Sequence, residues 1–447
     1  MRSAMMQRVR ERLPAVLPGA AEGAASAAVL GYGPLYMRQV LGEPRLSVTT
    51  LMLAIAALVW FLAAAGWGRL GDRVRQPLAL AGWTLLLSGL VQAALPVAAT
   101  SAAFIMIVVV WSCLLAAIAP LSVSWLTVRD PDHPAEEAAA FYRMRSVGWT
   151  IGSMGTSLLV GLLDLAGITW AFQAGGAMSV ALAAAVLAIL RDRTETGPPR
   201  AAGHNPPAGA AAGVQAEPSG WPGPGPEQTD SGAAAAGPDP VPGRAPGLAG
   251  PIWRFHAVAT LTAIILLTTT GNEAFFAVLG PYLTEYLAGS LEHIGLSMGV
   301  ASLLGIIITG PLGRLADRWG AERVLVTGCL GYVAMYGLVV LWRHPVATVV
   351  LYGLPLFPFM SAGATGTLSR RTPAARRAEA IGVYEGTSAL AAAVGSVLGG
   401  FVADAAGLPW VPVISLALAV GGCVVAWARL RPGVVPPRAR LTEAPLP

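Results

Sequence analysis

The chain contains no lysine: all 29 of its basic residues are arginine. Charge of either sign is scarce, at 12% of 447 residues, about half the share of a soluble protein. There are only three cysteines, Cys113, Cys329 and Cys423, each alone inside an apolar run. That spacing excludes a disulfide framework or a thiolate metal cluster and makes them small core residues. No glycine-rich nucleotide loop ending in Lys-Ser or Lys-Thr occurs, so ATP-driven pumping has no anchor. His133, His204, His256, His293 and His344 are scattered over loops and span edges, and no Ser-His-Asp order falls on one face. The expectation is a protein that is not an enzyme, with no metal and no cofactor.

What is abundant is apolar surface. The hydrophobic residues make up 55% of the chain, and its 53 glycines raise the apolar share to about 67%, against roughly 45–50% in soluble chains. A mean hydropathy of +0.62 rules out disorder as the main state and nearly rules out a water-soluble globule. A helix crosses the hydrocarbon core with about 20 apolar residues. Such runs fall at 14–37, 48–66, 77–98, 102–128, 144–163 and 168–190, then at 256–286, 293–313, 322–342, 346–368, 379–403 and 408–429. The expected fold class is therefore an all-α polytopic membrane protein with twelve spans. The first run has a basic start and an Ala25-Ser26-Ala27 segment that mimics a signal-peptide cleavage site, but it stays apolar to Met37 and is read as span 1. The seventh run is long enough to break at Gly271-Asn272 or at Gly280-Pro281.

Twelve spans put both termini and alternate loops on one side, and that side carries 26 of the 29 arginines; Arg38, Arg45 and Arg343 are on the other. Positive-inside logic makes the arginine-rich side cytoplasmic. The expected location is the inner membrane, with both termini in the cytoplasm. The net charge of +5 is thereby topological, and no nucleic-acid partner is expected.

Residues 197–251 hold 13 of the 35 prolines and show no helical periodicity, which marks a disordered cytoplasmic linker. The domains read as a six-span bundle at 1–195, a linker at 196–252, a second six-span bundle at 253–431 and a tail at 432–447. The flanks are internal repeats. Gly33-Pro34 answers Gly280-Pro281, Gly68-Arg69-Leu70-Gly71-Asp72-Arg73 answers Gly313-Arg314-Leu315-Ala316-Asp317-Arg318, Pro120 answers Pro358, and Asp164 answers Asp404. The offsets are 247, 245, 238 and 240.

Twelve spans, a central linker and Gly-x-Leu-[Gly/Ala]-Asp-Arg after spans 2 and 8 resemble the major facilitator superfamily. The resemblance covers all but linker and tails. It implies two six-helix bundles, pseudo-symmetric parallel repeats, rocking around a central substrate site and acting as a monomer. The motif glycines permit a tight reversal between helices, and Arg69, Arg73, Arg314 and Arg318 sit at the cytoplasmic boundary. The resemblance further implies that Asp72 braces the start of span 11 and Asp317 the start of span 5. The superfamily's antiporter signature in span 5 has a proline that is missing from Gly148-Trp149-Thr150-Ile151-Gly152.

Of the 24 acids, three fall inside spans: Glu22, Glu273 and Glu385. Ionised groups there cost about 2.5–3.5 kcal/mol on insertion scales and mark functional sites. Glu22, about 15 Å along the helix from Arg12, lies near mid-membrane with no basic residue in the body of span 1. Glu273 shares a polar face with Thr269 and adjoins Asn272. Aligned by the Gly-Pro ends, Glu22 falls opposite Thr269, so the two acids are about one turn out of register. Glu385 is shallower, and its repeat counterpart Arg145 reads as an interfacial arginine; together they are a candidate cytoplasmic gate. Tyr32, Trp149 and Tyr282 are candidate cavity-lining residues.

The functional expectation is a secondary transporter of a small organic solute, coupled to protons through Glu22, Glu273 or both. Its partners are that solute, protons and membrane lipids. Export of an amphipathic or cationic compound is preferred over proton-coupled uptake of a sugar, nucleoside or carboxylate. A receptor or lipid-handling protein on the same fold is a further alternative.

Overall fold

The computed structural model describes residues 2–71, 73–129, 134–196, 255–372 and 377–430. The linker beyond Thr196, the tail and Asp72 lie outside these residues, as do the side chains of Asp317 and Glu385. Fourteen α-helices follow one another: α1 (Arg2–Gln39), α2 (Leu46–Gly71), α3 (Pro77–Ala93), α4 (Ser101–Leu115), α5 (Ile118–Arg129), α6 (Pro134–Leu163), α7 (Leu165–Thr196), α8 (His256–Pro281), α9 (Glu292–Trp319), α10 (Ala321–Trp342), α11 (Pro345–Tyr352), α12 (Leu356–Arg371), α13 (Arg377–Ala406) and α14 (Trp410–Arg429). No strand occurs among the described residues. They supply twelve stretches long and apolar enough to cross a membrane, because two of the spans are each made of two helices.

Those two are the fourth, α4 with α5, and the tenth, α11 with α12. Pro120 is the third residue of α5 and Pro358 the third of α12. A proline has no N–H to give to the carbonyl four residues back, so each ladder is interrupted around 116–117 and 353–355. The repeat in proline position thus becomes a repeat in helix shape. The long seventh run behaves similarly at one point only. α8 passes through Gly271-Asn272 without a break, then widens after Pro281 into a single π turn over Tyr282–Tyr286.

The second copy of the loop motif corrects the sequence reading. Gly310 and Gly313 lie inside α9, which continues to Trp319, and the reversal comes at Gly320 with φ 97°. Gly66 and Gly68 are likewise helical, within α2. The motif therefore forms the last turns of two helices, and after the second copy Gly320, with no Cβ, turns the chain.

Helix positions are set by glycines that bring backbones together. A Cβ on Gly148 would overlap the Ala20 carbonyl oxygen, and one on Gly152 would meet that of Ala24, so α6 lies directly on α1. In the second half, Gly395 and Gly399 of α13 meet the carbonyls of Thr270 and Ala274 on α8 in the same way. Small residues let helices pack this closely in a membrane, where apolar side chains gain nothing by leaving lipid. α14 backs α8 from another side, with Ser415 Oγ donating to the Gly271 carbonyl at 2.7 Å. The result is that α1 and α8 are central: 78% and 61% of their most apolar windows are buried, against 22–50% elsewhere.

These contacts also correct the register between the halves. Ala20 corresponds to Thr270 and Ala24 to Ala274, an offset of 250. The same offset carries Tyr32 onto Tyr282 and Tyr36 onto Tyr286. Glu22 then corresponds to Asn272, and Glu273 to Gly23. The two acids are one residue apart in register rather than one turn, because the Gly-Pro pairs do not occupy equivalent places in the two helices.

The packing predicts a sharp contrast between two glycines of α6. Gly148→Ala pushes a methyl into backbone and is expected to cost about 1–3 kcal/mol, the range for an overpacked site. At Gly155, nothing lies within 4 Å of the position a methyl would take, and Gly155→Ala is expected to be neutral or mildly stabilising. Thermal unfolding of the two purified variants in detergent checks this; equal midpoints would remove the backbone contact as an explanation.

Candidate functional site

The close approach of α1 and α6 buries Glu22 completely and sets it opposite a cation from another span. Arg145 Nε lies 3.2 Å from Glu22 Oε1, and Glu22 itself is 0% exposed. The contact is an ion pair by distance only, since neither carboxylate oxygen has a partner in hydrogen-bond geometry. The guanidinium also stands 5.6 Å from the centroid of the Trp60 ring of α2, within cation–π range. Arg145 is therefore turned inward, not held at the boundary as an interfacial arginine. Its side chain keeps 33% exposure while its guanidinium reaches the fully buried Glu22.

Glu273 has different surroundings. Asn272 Nδ2 donates to its Oε1 at 3.4 Å, and Tyr336 Oη donates to Asn272 Oδ1 at 3.1 Å. Tyr332 and Tyr336, one turn apart on α10, stack at 6.2 Å. Phe275 meets Tyr336 and Tyr352 edge-on at 5.7 Å each. Three tyrosine hydroxyls, those of Tyr332, Tyr336 and Tyr352, lie within electrostatic range of the Glu273 carboxylate. Thr269 is half-buried on the same side of α8, as are Asn272 and Glu273. The structure thus brings Thr269, Asn272 and Glu273 together, and adds a tyrosine wall that span-by-span reading did not identify. The signal was present: six of nine tyrosines fall in the second half, where two pairs, Tyr282/Tyr286 and Tyr332/Tyr336, are four residues apart.

Other expectations fare unevenly. Tyr32 and Tyr282 are buried, at 0% and 1% exposure, so neither lines open space. Tyr282 packs its ring against Phe275 and Tyr286. Trp149 is half-buried, with its backbone close to Gly23. Arg69, Arg73, Arg314 and Arg318 are exposed. The braces expected of Asp72, Asp317 and Glu385 lie outside the described residues. On the same face, Arg370 donates to the Ala316 carbonyl at 3.1 Å, and Arg371 pairs with Glu322 at 3.1 Å.

At the face opposite the termini, polar contacts clasp the two halves together. Arg38 forms a two-pronged pair with Glu285, Nε to Oε1 at 3.0 Å and Nη2 to Oε2 at 3.1 Å. Arg38 also donates to the carbonyls of Glu43 and Pro44. Asp404 accepts from the backbone N–H groups of Leu46 and Ser47, 2.8 Å each, and so caps the start of α2. Tyr32 Oη accepts from the Gly295 N–H at 2.8 Å, and Ser157 Oγ donates to the Glu292 carbonyl at 2.6 Å. Sequence reasoning passed over this clasp. One clue was that only three arginines lie on that face and one of them follows Gly33-Pro34 closely.

With this geometry in place, comparison with known proteins is informative. The family described as Major Facilitator Superfamily matches residues 261–446. The tetracycline resistance protein, class H, of Pasteurella multocida is 25% identical over 159 residues, 33% of this chain and 38% of that protein. An uncharacterized MFS-type transporter of Mycobacterium tuberculosis is 36% identical over 83 residues, 17% of this chain and 19% of that protein. The chain thus spans well under half the length of these curated relatives. Among solved structures, the nucleoside transporter NupG is similar with a TM-score of 0.66 at 12% identity, covering 94% of this chain and 98% of that one. A bacterial homolog of the human lysosomal transporter Spinster, inward-facing and occupied, gives 0.65 at 13%, covering 95% and 97%. Likeness at that identity speaks for the fold alone.

The clasp yields a direct test. Arg38 and Glu285 are 27% and 28% exposed, and pairs in such settings contribute about 0.2–1 kcal/mol. Arg38→Ala is therefore expected to raise the maleimide labelling rate of a cysteine placed at Met298, which packs under the clasp against Gly31, by up to about fivefold. The charge swap Arg38→Glu with Glu285→Arg should return the rate towards its starting value. No change in Arg38→Ala would show that the pair does not hold this face shut.

Proposed function

We propose that this chain, whose residues 261–446 match the family described as Major Facilitator Superfamily and whose fold is shared by solved transporters, belongs to that superfamily and is a proton-coupled secondary transporter of a small organic solute. It carries that solute by alternating access and performs no covalent chemistry. The arginine-rich face is cytoplasmic, so both termini are inside the cell, the clasp is at the outer surface, and the arrangement described is closed to the outside. It works as a monomer in the inner membrane.

The observation that carries the reading is the fully buried Glu22 with Arg145 as its ion-pair partner. A carboxylate in such a place is retained against a cost of about 2.5–3.5 kcal/mol or more, and its one cation is itself loosely held. When a proton neutralises Glu22, Arg145 loses that counter-ion and, among the described residues, keeps the Trp60 ring. The consequence reaches the other half through the next residue: the Ser146 carbonyl accepts a hydrogen bond from Ser302 Oγ of α9 at 3.0 Å. Arg145 and Ser146 thus join the proton site to a seam between the halves on one turn of α6. Protonation biases that seam one way and deprotonation the other, which is the two-state element coupling requires.

Export is the favoured direction, in line with the partial similarity to a tetracycline resistance protein. Flux in proteoliposomes under an imposed pH gradient tests the proposal. Glu22→Gln is expected to abolish uphill accumulation while leaving solute exchange at equilibrium. Uphill accumulation persisting in Glu22→Gln would exclude Glu22 as the coupling acid, and gradient-independent flux in the wild type would exclude proton coupling.

A further inference from the structure

The two mid-span acids stand at almost the same level, one residue apart in register, yet their charge environments are opposite. Glu22 has Arg145 at 3.2 Å. Glu273 has no arginine within 4.0 Å among the described residues, and its hydrogen bond comes from Asn272 Nδ2 at 3.4 Å. The groups placed about it among the described residues are neutral: Asn272 on α8, Tyr332 and Tyr336 on α10, Tyr352 on α11, and the Gly395 backbone on α13. The side chain is also less enclosed than that of Glu22. Leu266, Thr269, Glu273 and Phe276 recur at helical spacing along an accessible stripe of α8.

A carboxylate held without a counter-ion among apolar walls either takes a proton or takes its cation from outside. Aromatic rings add attraction for a cation that a small polar pocket lacks, and the Tyr336 hydroxyl holds Asn272, which donates to the carboxylate. An anionic solute finds no positive group here to hold it. The register explains how the site is made: Glu273 takes the place that Gly23 has in the first half, and Gly395 leaves room for it on α13.

We propose that Glu273, walled by Tyr332, Tyr336 and Tyr352, binds the positive group of a monovalent organic cation whose apolar body lies along the Leu266–Phe276 stripe. The inference rests on the transport reading and divides labour between the acids: Glu22 with Arg145 handles the proton, Glu273 the substrate's charge. The site is specific for positive charge on an apolar frame, and a neutral molecule of the same shape is a poor ligand.

Equilibrium binding to the full chain in lipid nanodiscs tests it, with tetraphenylphosphonium, ethidium and rhodamine 6G as permanent cations and triphenylphosphine oxide as the neutral control. Saturable binding is expected for at least one cation and not for the neutral compound. Glu273→Gln should weaken binding about tenfold or more, the loss of one charged contact, while Glu273→Asp stays within a few-fold. In the wild type, the bound cation should also slow carbodiimide modification of Glu273, a readout that needs no variant. The proposal is overturned if none of the three cations binds, if binding survives Glu273→Gln in a protein of unchanged thermal stability, or if the cation leaves the modification rate unaltered. The two readings fail separately: Glu273-dependent binding without gradient-driven flux sinks transport alone, and gradient-driven flux with Glu273-independent binding sinks this site alone.

Discussion

Direct contact of glycine with a neighbouring helix's backbone is the constraint on which the rest of this molecule depends. In lipid, apolar side chains have no reason to prefer each other over hydrocarbon, so helices associate where they can come close. Gly148 and Gly152 fix α6 on α1; Gly395 and Gly399 fix α13 on α8. That closeness excludes both lipid and water from the line between each pair. Only then does Glu22 become a buried acid whose partner must come from α6, and only then does Glu273 emerge beside a residue without a side chain. The acids are consequences of the packing as much as of their own positions in the chain.

The two halves share this packing and differ in what they place on it. With Ala20 on Thr270 and Ala24 on Ala274, the repeat supplies two equivalent sockets and fills one with an ion pair and the other with a lone carboxylate among tyrosines. A pair of identical acids, each with an arginine, would leave no net charge for a substrate. A pair of lone acids would place two uncompensated charges at one depth. The asymmetry keeps one negative charge available while the other is neutralised within the protein, and it arises from a difference of one residue between corresponding helices.

Much of the fold was legible because it is written in composition: apolar runs of membrane length, arginines confined to one side, and paired landmarks such as Pro120 and Pro358. What could not be read is what depends on helices meeting in space. Arg145 lies 123 residues from Glu22, and no periodicity connects them; near a helix end it looked like an ordinary boundary arginine. The register failed for a related reason. Gly33-Pro34 and Gly280-Pro281 are conspicuous in the sequence, but backbone contacts elsewhere decide which residues are equivalent. Glu22, Glu273, Asn272 and Thr269 stand out in the sequence because polar groups in an apolar span are conspicuous. The tyrosine wall does not, because a tyrosine in such a span is compatible with simple packing and only its neighbours reveal a site.

The clasp is the contact between the halves that is most easily exchanged for water. Its strongest-looking element, the two-pronged Arg38–Glu285 pair, is about a quarter exposed on both sides, so its net worth is about 0.2–1 kcal/mol. Asp404 at the start of α2 adds a cap with the favourable polarity of a helix N-terminus, again typically about 0.3–1 kcal/mol. A face sealed by apolar burial on the scale of a domain core would stay shut. A seal made of several contacts of this size, each able to exchange its partner for water, can be outweighed by a ligand that prefers the other state by a few kcal/mol. Glycine contacts hold more firmly, since lipid cannot fit against a glycine as closely as a facing backbone does, and they occur between the halves as well as within them: Gly295 of α9 meets the Ser153 carbonyl of α6, and Gly400 of α13 meets the start of α2. The halves therefore meet through a replaceable polar clasp and through glycine contacts of α9 on α6 and α13 on α2, and α6, which carries Arg145 of the proposed proton site, takes part in seams both within and between them.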